Sequence, residues 1–298
     1  MSEYIWLIAT YASIGIFALG MAVRVVRIAR LPLHLRWELA PVPHERDKHE
    51  YGGSFLEEPD WWMKPRERSR MNELLFMLKE IFFLHAVRKN NRRIWPFSLA
   101  FHTGLYCLFF MACLLVASAA MSAAGYAAPA ALIETPAGIL GGAAYLLGSM
   151  GALGMLVLRG LDRDLRSYSG LPAYLNLAVL FVLFASGGFG MIIEDGFIGE
   201  MQRFINAAML ARPGLALYHA AAIHLGAGLF FLALLPFTSM VHFAAKFFTY
   251  HTVLWDDRRM DAAMEKEVGA LLGQPVGWKS SHLGADGTKN WIDVVKGE

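Results

Sequence analysis

Five stretches of the chain stay apolar for long enough to cross a bilayer, which takes about 20 helical residues. They run roughly over 4–23, 97–122, 137–158, 172–193 and 214–246, each bounded by charge, Pro or Gly. The first, charge-free from Ile5 to Val23, ends in Arg24, Arg27 and Arg30. It lacks a basic leading segment and a small-residue cleavage site, so it reads as a retained helix rather than a signal peptide. The pattern predicts an all-α integral membrane protein with five transmembrane helices. Between them, the insertion 31–95 carries Leu74, Leu75, Leu78, Ile81 and Phe82 at helical spacing, with Arg66, Arg68, Arg70, Glu73, Lys79 and Glu80 largely off that stripe. Such a helix lies on a membrane surface or under a partner. Asp60-Trp61-Trp62 suits the headgroup level. Residues 1–251 form one membrane domain on this reading, followed by a polar tail, 252–298. In that tail Asp261 to Leu272 predicts a short helix. Trp278, Ile292 and Val294 are positioned to anchor it on another subunit, because alone it has too little apolar surface to fold.

Composition agrees with a membrane setting. The 298 residues are 56% hydrophobic and only 17% charged, with mean hydropathy +0.41, more apolar than a soluble domain of this length requires. The net charge of +2 says little, because in a polytopic protein its distribution carries the information. Arg24, Arg27, Arg30, Arg36, Lys64, Arg66, Arg68, Arg70, Arg88, Lys89, Arg92 and Arg93 fall between the first two spans, and Arg159, Arg163 and Arg166 follow the third. Both connections are expected in the cytoplasm. Ser122 to Pro136 has no Lys or Arg, and Glu194 to Pro213 sets Glu194, Asp195 and Glu200 against Arg203 and Arg212. These belong outside, giving N-terminus out and C-terminus in.

Two cysteines exclude whole chemistries. Cys107 and Cys113 both fall in the second span, with no CxxC and no C-x-x-C-H, so any iron–sulfur centre belongs to a partner. No phosphate-cradling glycine loop and no Ser/His/Asp arrangement is present, and nothing points to nucleic acid. Gly141-Gly142 and Gly187-Gly188 read as points of close helix approach.

Histidine carries the chemistry. His224 and His242 stand 18 residues apart on one apolar segment, which in a continuous helix is five turns, so both imidazoles would face one way about 27 Å apart. Two stacked haems would want this geometry. An ionisable side chain inside a membrane is costly unless paired, ligated or facing a polar cavity, so such residues read as functional. His102 falls about two turns into the second span and His242 about one turn from the end of the fifth. Two histidines at matched depth on antiparallel helices suit bis-histidine ligation of one haem b, against the alternative of interfacial histidines bonded to carbonyls.

The run His224-Leu225-Gly226 through Leu235-Pro236-Phe237-Thr238-Ser239-Met240-Val241-His242-Phe243 resembles the last helix of respiratory nitrate reductase gamma subunits. These are five-helix cytochromes b with two haem-ligating histidines at this spacing. Phe101-His102-Thr103-Gly104 resembles the start of that family's second helix. The resemblance implies that His102 and His242 hold a cytoplasmic-side haem and His224 an outer one. The second ligand of that outer haem is expected ten residues after His102, where this chain has Ala112. Met111 and Cys113, or less suitably Met191, are the substitutes in reach. His219, about 140° around the helix from His224, could ligate a differently placed haem, help bind a quinone or face the aqueous rim.

Trp37-Glu38-Leu39-Ala40-Pro41, Tyr51 to Trp62 and the tail from Trp278 to Val295 resemble extensions of gamma-like cytochromes in sulfate reducers and related anaerobes. There the cytochrome sits in a sulfite-reduction-associated or type II tetrahaem cytochrome c3 complex. This implies a cytoplasmic membrane location in a bacterium or archaeon and a heterodisulfide-reductase-like iron–sulfur partner on the cytoplasmic side. A periplasmic multihaem cytochrome c is a further partner, with membrane lipid around the spans and menaquinone as substrate. The expected role is electron transfer between menaquinone and that partner. The competing expectation is a haem-poor anchor and assembly subunit, favoured by Ala112. A transporter is the weaker third, since no internal repeat or interrupted helix pair frames a midplane site.

Overall fold

A computed structural model describes residues 4–31, 42–45, 54–65, 68–126, 130–255 and 260–297. Trp37 to Pro41 and Tyr51 to Gly53, which carry part of the resemblance, lie outside these. The chain divides into two compact units, one of Met1–Arg24 with Leu74–Val241, the other of Val25–Glu73 with His242–Glu298.

The helices, in chain order, are α1 (Ile5–Ala29), α2 (Arg70–Phe83), α3 (His85–Asn90), α4 (Trp95–Ala123), α5 (Ala130–Leu161), α6 (Arg163–Ser167), α7 (Leu171–Ile193), α8 (Phe197–Met209), α9 (His219–Leu234), α10 (His242–Phe248), α11 (Ala262–Leu272) and α12 (Trp291–Lys296). Five helical segments are long and apolar enough to cross a membrane: Ile5–Ala29, Trp95–Ala123, Leu132–Leu161, Leu171–Ile193 and His219–Phe237. The expected multi-pass helical architecture is present. Two features had not been read from the sequence. Glu194 to Pro213 is largely the amphipathic helix α8, which buries Phe197, Ile198, Met201, Phe204 and Ala208. The tail also holds a short antiparallel pair, β1 (Lys279–Ser280) and β2 (Ala285–Asp286), with Lys279 opposite Asp286.

The first unit is organised by a small-residue seam on α5. A Cβ built on Gly104 of α4 would lie 2.5 Å from the Gly148 nitrogen, and one on Gly151 would lie 2.4 Å from the Phe101 nitrogen. Gly154 takes the Phe97 ring and Gly141 the Met111 sulfur, so the order of contacts makes α4 and α5 antiparallel. On the other side Phe184 of α7 lies against Gly148, and Tyr145 fills the space beside Gly187. Apolar surface gives no advantage between helices surrounded by lipid tails, so close backbone approach and dispersion must supply the association. Gly141 and Gly187 act in this way, whereas a Cβ on Gly142 would meet nothing within 4 Å.

The fifth span is where expectation and structure part. Instead of one helix over 214–246, α9 ends at Leu234, a 3-10 turn covers Leu235–Phe237 and Thr238 is extended at φ −108° and ψ 171°. A second 3-10 turn, Ser239–Val241, precedes α10. Pro236 is the cause: it has no N–H and its ring clashes with the carbonyl one turn back. Thr238 stabilises the break, its Oγ1 donating to Leu235 O at 2.9 Å and accepting from Met240 N at 3.1 Å. The Arg24 side chain of α1 donates to Pro236 O at 2.9 Å, and Asn176 of α7 reaches Ser239 Oγ at 3.3 Å. The five-turn register between His224 and His242 is therefore lost. Their imidazoles are not two points on one helical stripe.

Charged side chains close the connections of this unit. Asp162 caps α6, and the Leu165 amide, the Arg93 guanidinium and the Asp164 amide hold its carboxyl below the usual carboxylate range. The apolar stripe expected at 74–82 is helical, with Leu74, Leu75, Leu78, Ile81 and Phe82 all exposed. Its C-terminal end is tied to α4 through Tyr106 Oη donating to Ile81 O at 2.7 Å and Trp95 Nε1 donating to Phe83 O at 2.8 Å.

In the second unit Trp255 is buried, with Tyr250 stacked on it at 4.8 Å and His44 edge-on at 6.2 Å. The Glu45 carboxylate accepts from buried Ser54 and from the Phe55 amide. His251 donates from Nδ1 to Phe247 O and meets Glu73 through Nε2, both at 2.8 Å. The short helix expected over Asp261 to Leu272 is present as α11, with Asp261 capping it by accepting from the Met264 amide at 2.8 Å. Trp278, expected to dock on another subunit, packs edge-on against Trp291 of the same tail. The tail gains apolar burial by sharing one unit with residues 25–73. That offsets the shortage its sequence shows.

The seam gives a direct test. Gly151→Ala must push back the Phe101 backbone and should cost about 1–3 kcal/mol, as overpacking does, whereas Gly142→Ala should be neutral. Thermal unfolding in detergent measures both; equal midpoints would contradict the seam.

Candidate functional site

The polar groups gathered inside the first unit begin where α9 starts. The first N–H groups of a helix lack intrahelical acceptors, and the macrodipole makes that end attractive to anions. Glu194, just past the end of α7, meets both needs: its two carboxylate oxygens accept from the Ala220 and Ala221 amides at 2.7 and 3.1 Å. Glu200 of α8, only 2% exposed, accepts from the Tyr218 amide at 3.0 Å and pairs with Arg203. Two of the three acidic residues read from sequence as the mark of an external stretch, Glu194 and Glu200, accept from amides at the start of the last span.

One turn further along α9, His224 is buried at 5% exposure. Its Nδ1 lies 3.1 Å from Leu183 O of α7, and a carbonyl only accepts, so the proton is assigned to Nδ1. Nε2 then accepts from the Tyr145 hydroxyl of α5 at 3.1 Å. Ser186 Oγ donates to Leu183 O at 3.0 Å and stands 3.3 Å from Nδ1. The Tyr145 ring meets the imidazole edge-on at 5.1 Å between centroids, and Phe197 covers it at 5.7 Å. Every polar atom of the imidazole has a partner, which is how a buried polar group becomes tolerable.

His102 is different. It is half-buried on α4, with Nδ1 2.7 Å from Ser98 O one turn back on its own helix. That bond places the proton on Nδ1 and leaves Nε2 as the lone-pair nitrogen, the orientation that metal-ligating imidazoles take from a carbonyl partner. Phe101 and Tyr106 flank its ring at 5.4 and 6.5 Å. His242 is exposed at the first position of α10 and belongs to the second unit, whereas His102 belongs to the first. His219 is exposed at the first position of α9. Met111 is buried against Gly141, Cys113 is exposed, and Met191 packs at the edge of the core.

The structure thus joins His224 to a residue that sequence reading missed, Tyr145. Its only signal was a hydroxyl in an apolar span, beside the Gly141-Gly142 pair. Among the described residues no group of three or more His, Cys, Asp or Glu side chains is placed to hold a metal ion by itself. The donor chemistry at His102 fits an axial ligand of haem. That at His224 does not, because Nε2 is already engaged and Tyr145 and Phe197 occupy the space around the ring.

Comparison with protein-family models and with curated proteins finds no match to this chain.

Removing the α9 cap should be felt. Glu194→Ala leaves two amides without an acceptor and should cost about 1–2 kcal/mol, the range of N-cap losses, with Glu194→Gln milder because one amide oxygen remains. The detergent unfolding midpoint reports both; no change for Glu194→Ala would show the cap to be idle.

Proposed function

We propose that the chain is a haem b membrane subunit that passes electrons between menaquinone or menaquinol and an iron–sulfur subunit on the cytoplasmic side. The observation that supports this reading is His102, a half-buried imidazole on a helix long and apolar enough to cross a membrane, with its Nδ1 oriented by Ser98 O as in metal-ligating histidines. His242 is its proposed partner, from the resemblance of both segments to gamma-type cytochromes b. Bound haem would supply the one-electron chemistry. The chain's residues orient one imidazole, flank it with Phe101 and Tyr106 and leave it half-buried on α4.

The proposed topology has the N-terminus outside and the C-terminus in the cytoplasm, so the second unit faces the iron–sulfur partner of heterodisulfide-reductase-like type. The same orientation leaves the opposite side for a multihaem cytochrome c. A second reading, a haem-poor anchor and assembly subunit for that partner, gains support from the satisfied imidazole of His224.

If the reading is right, the purified protein shows a b-type reduced-minus-oxidised spectrum, and His102→Ala or His242→Ala each abolishes that haem. Unchanged haem in both variants would sink the assignment. Orientation is checked separately: a C-terminal alkaline phosphatase fusion should be inactive and a fluorescent-protein fusion bright, and the reverse result would invert the topology.

A further inference from the structure

We propose that His224 binds no haem iron: with Tyr145, Ser186 and the Leu183 carbonyl it forms a closed polar joint between α5, α7 and α9, so the second haem expected at His224 is absent. The inference rests on the reading above only in assigning the first haem to His102. An axial ligand needs a lone pair directed at a space the macrocycle can occupy. At His224 the lone pair of Nε2 is taken by the Tyr145 hydroxyl at 3.1 Å. Tyr145 is seated in the space that the missing Cβ of Gly187 leaves, and it is buried at 2% exposure. Phe197 fits against Gly190 in the same way and lies beside Tyr145 over the imidazole, 5.7 Å from it between centroids. Both rings are held in glycine niches on α7. A macrocycle at Nε2 would have to empty them.

The opposite side of a second haem fails as well. Ala112 and Cys113 are exposed on α4, and Met111 is buried with its sulfur over Gly141. The structure therefore gives a positive role to a histidine that resemblance alone would call a ligand. It ties three spans together where dispersion between apolar helices is the main other attraction. With one haem, the chain alone offers no second stepping stone across a hydrocarbon core about 30 Å thick. The quinone must then react within reach of the haem at His102.

The test uses the full chain purified in detergent, as wild type, His224→Gln, Tyr145→Phe and the double variant, with haem counted per polypeptide and thermal unfolding recorded for each. The proposal expects no more than one haem in the wild type. In His224→Gln the haem count, the α-band position and the haem midpoint potential should not change. It also expects each single variant to lower the unfolding midpoint and the double variant to lose clearly less than the two together, the signature of direct partners. Two haems in the wild type, a haem lost or spectrally altered in His224→Gln, or additive losses in the cycle would overturn it. If the wild type holds no haem, the electron-transfer reading fails, while non-additive losses would still uphold the joint.

Discussion

Close backbone approach along α5 is the constraint on which the first unit depends. Gly141, Ala144, Gly148, Gly151 and Gly154 leave one face of that helix almost bare, so the α4 backbone comes directly against it and the Phe184 ring of α7 seats on Gly148. In lipid the hydrophobic effect does not favour helix pairing, and a seam of small residues is how dispersion becomes large enough to replace it. The aromatic side chains follow from this. Phe97, Phe184, Tyr145 and Phe197 each occupy the space a missing Cβ leaves, and Tyr145 thereby brings its hydroxyl to His224.

A bilayer interior also requires every backbone donor and acceptor to be satisfied within the protein. The fold meets this at its two irregular points with side chains from neighbouring elements. Glu194 and Glu200 close the start of α9, where a helix end would otherwise leave amides unpaired. Arg24, Thr238 and Asn176 hold the break after Pro236, where the ladder of the last span fails. These polar contacts are modest in energy, about 0.6 kcal/mol on average for polar contacts between membrane helices. Their alternative is an unsatisfied group in hydrocarbon, which is far costlier.

Two of the histidines in the first unit's spans show how the same side chain is held in different ways. His102, half-buried, bonds a carbonyl of its own helix through Nδ1, which sets its tautomer. His224, buried, bonds groups of two other helices through its two ring nitrogens. The first bond is local and the other two cross the bundle, so only His224 depends on the register of its neighbours.

How much of this was legible in the residues depends on the range of the interaction. Span number and type were, because length and apolar character act locally and a bilayer leaves only the helix as the answer for such segments. The helices at 70–83 and 262–272 were legible for the same reason, since a helix is set by short-range pattern. The break at Pro236 was written in the sequence, yet the resemblance of that segment and its tidy spacing drew the reading toward a continuous helix. Proline tolerance in membrane helices depends on whether neighbours can satisfy the freed groups, and here Arg24 stabilises the interruption from 212 positions away. Likewise only packing could decide which groups His224 meets. Its partners Tyr145, Leu183 and Ser186 lie 79, 41 and 38 residues distant, and no local pattern encodes such a meeting. Sequence by itself determined which segments form helices and which residues carry usable chemistry. Tertiary structure decided which of those groups are already spent on one another, because hydrogen bonds between helices depend on the register that the glycine seam imposes.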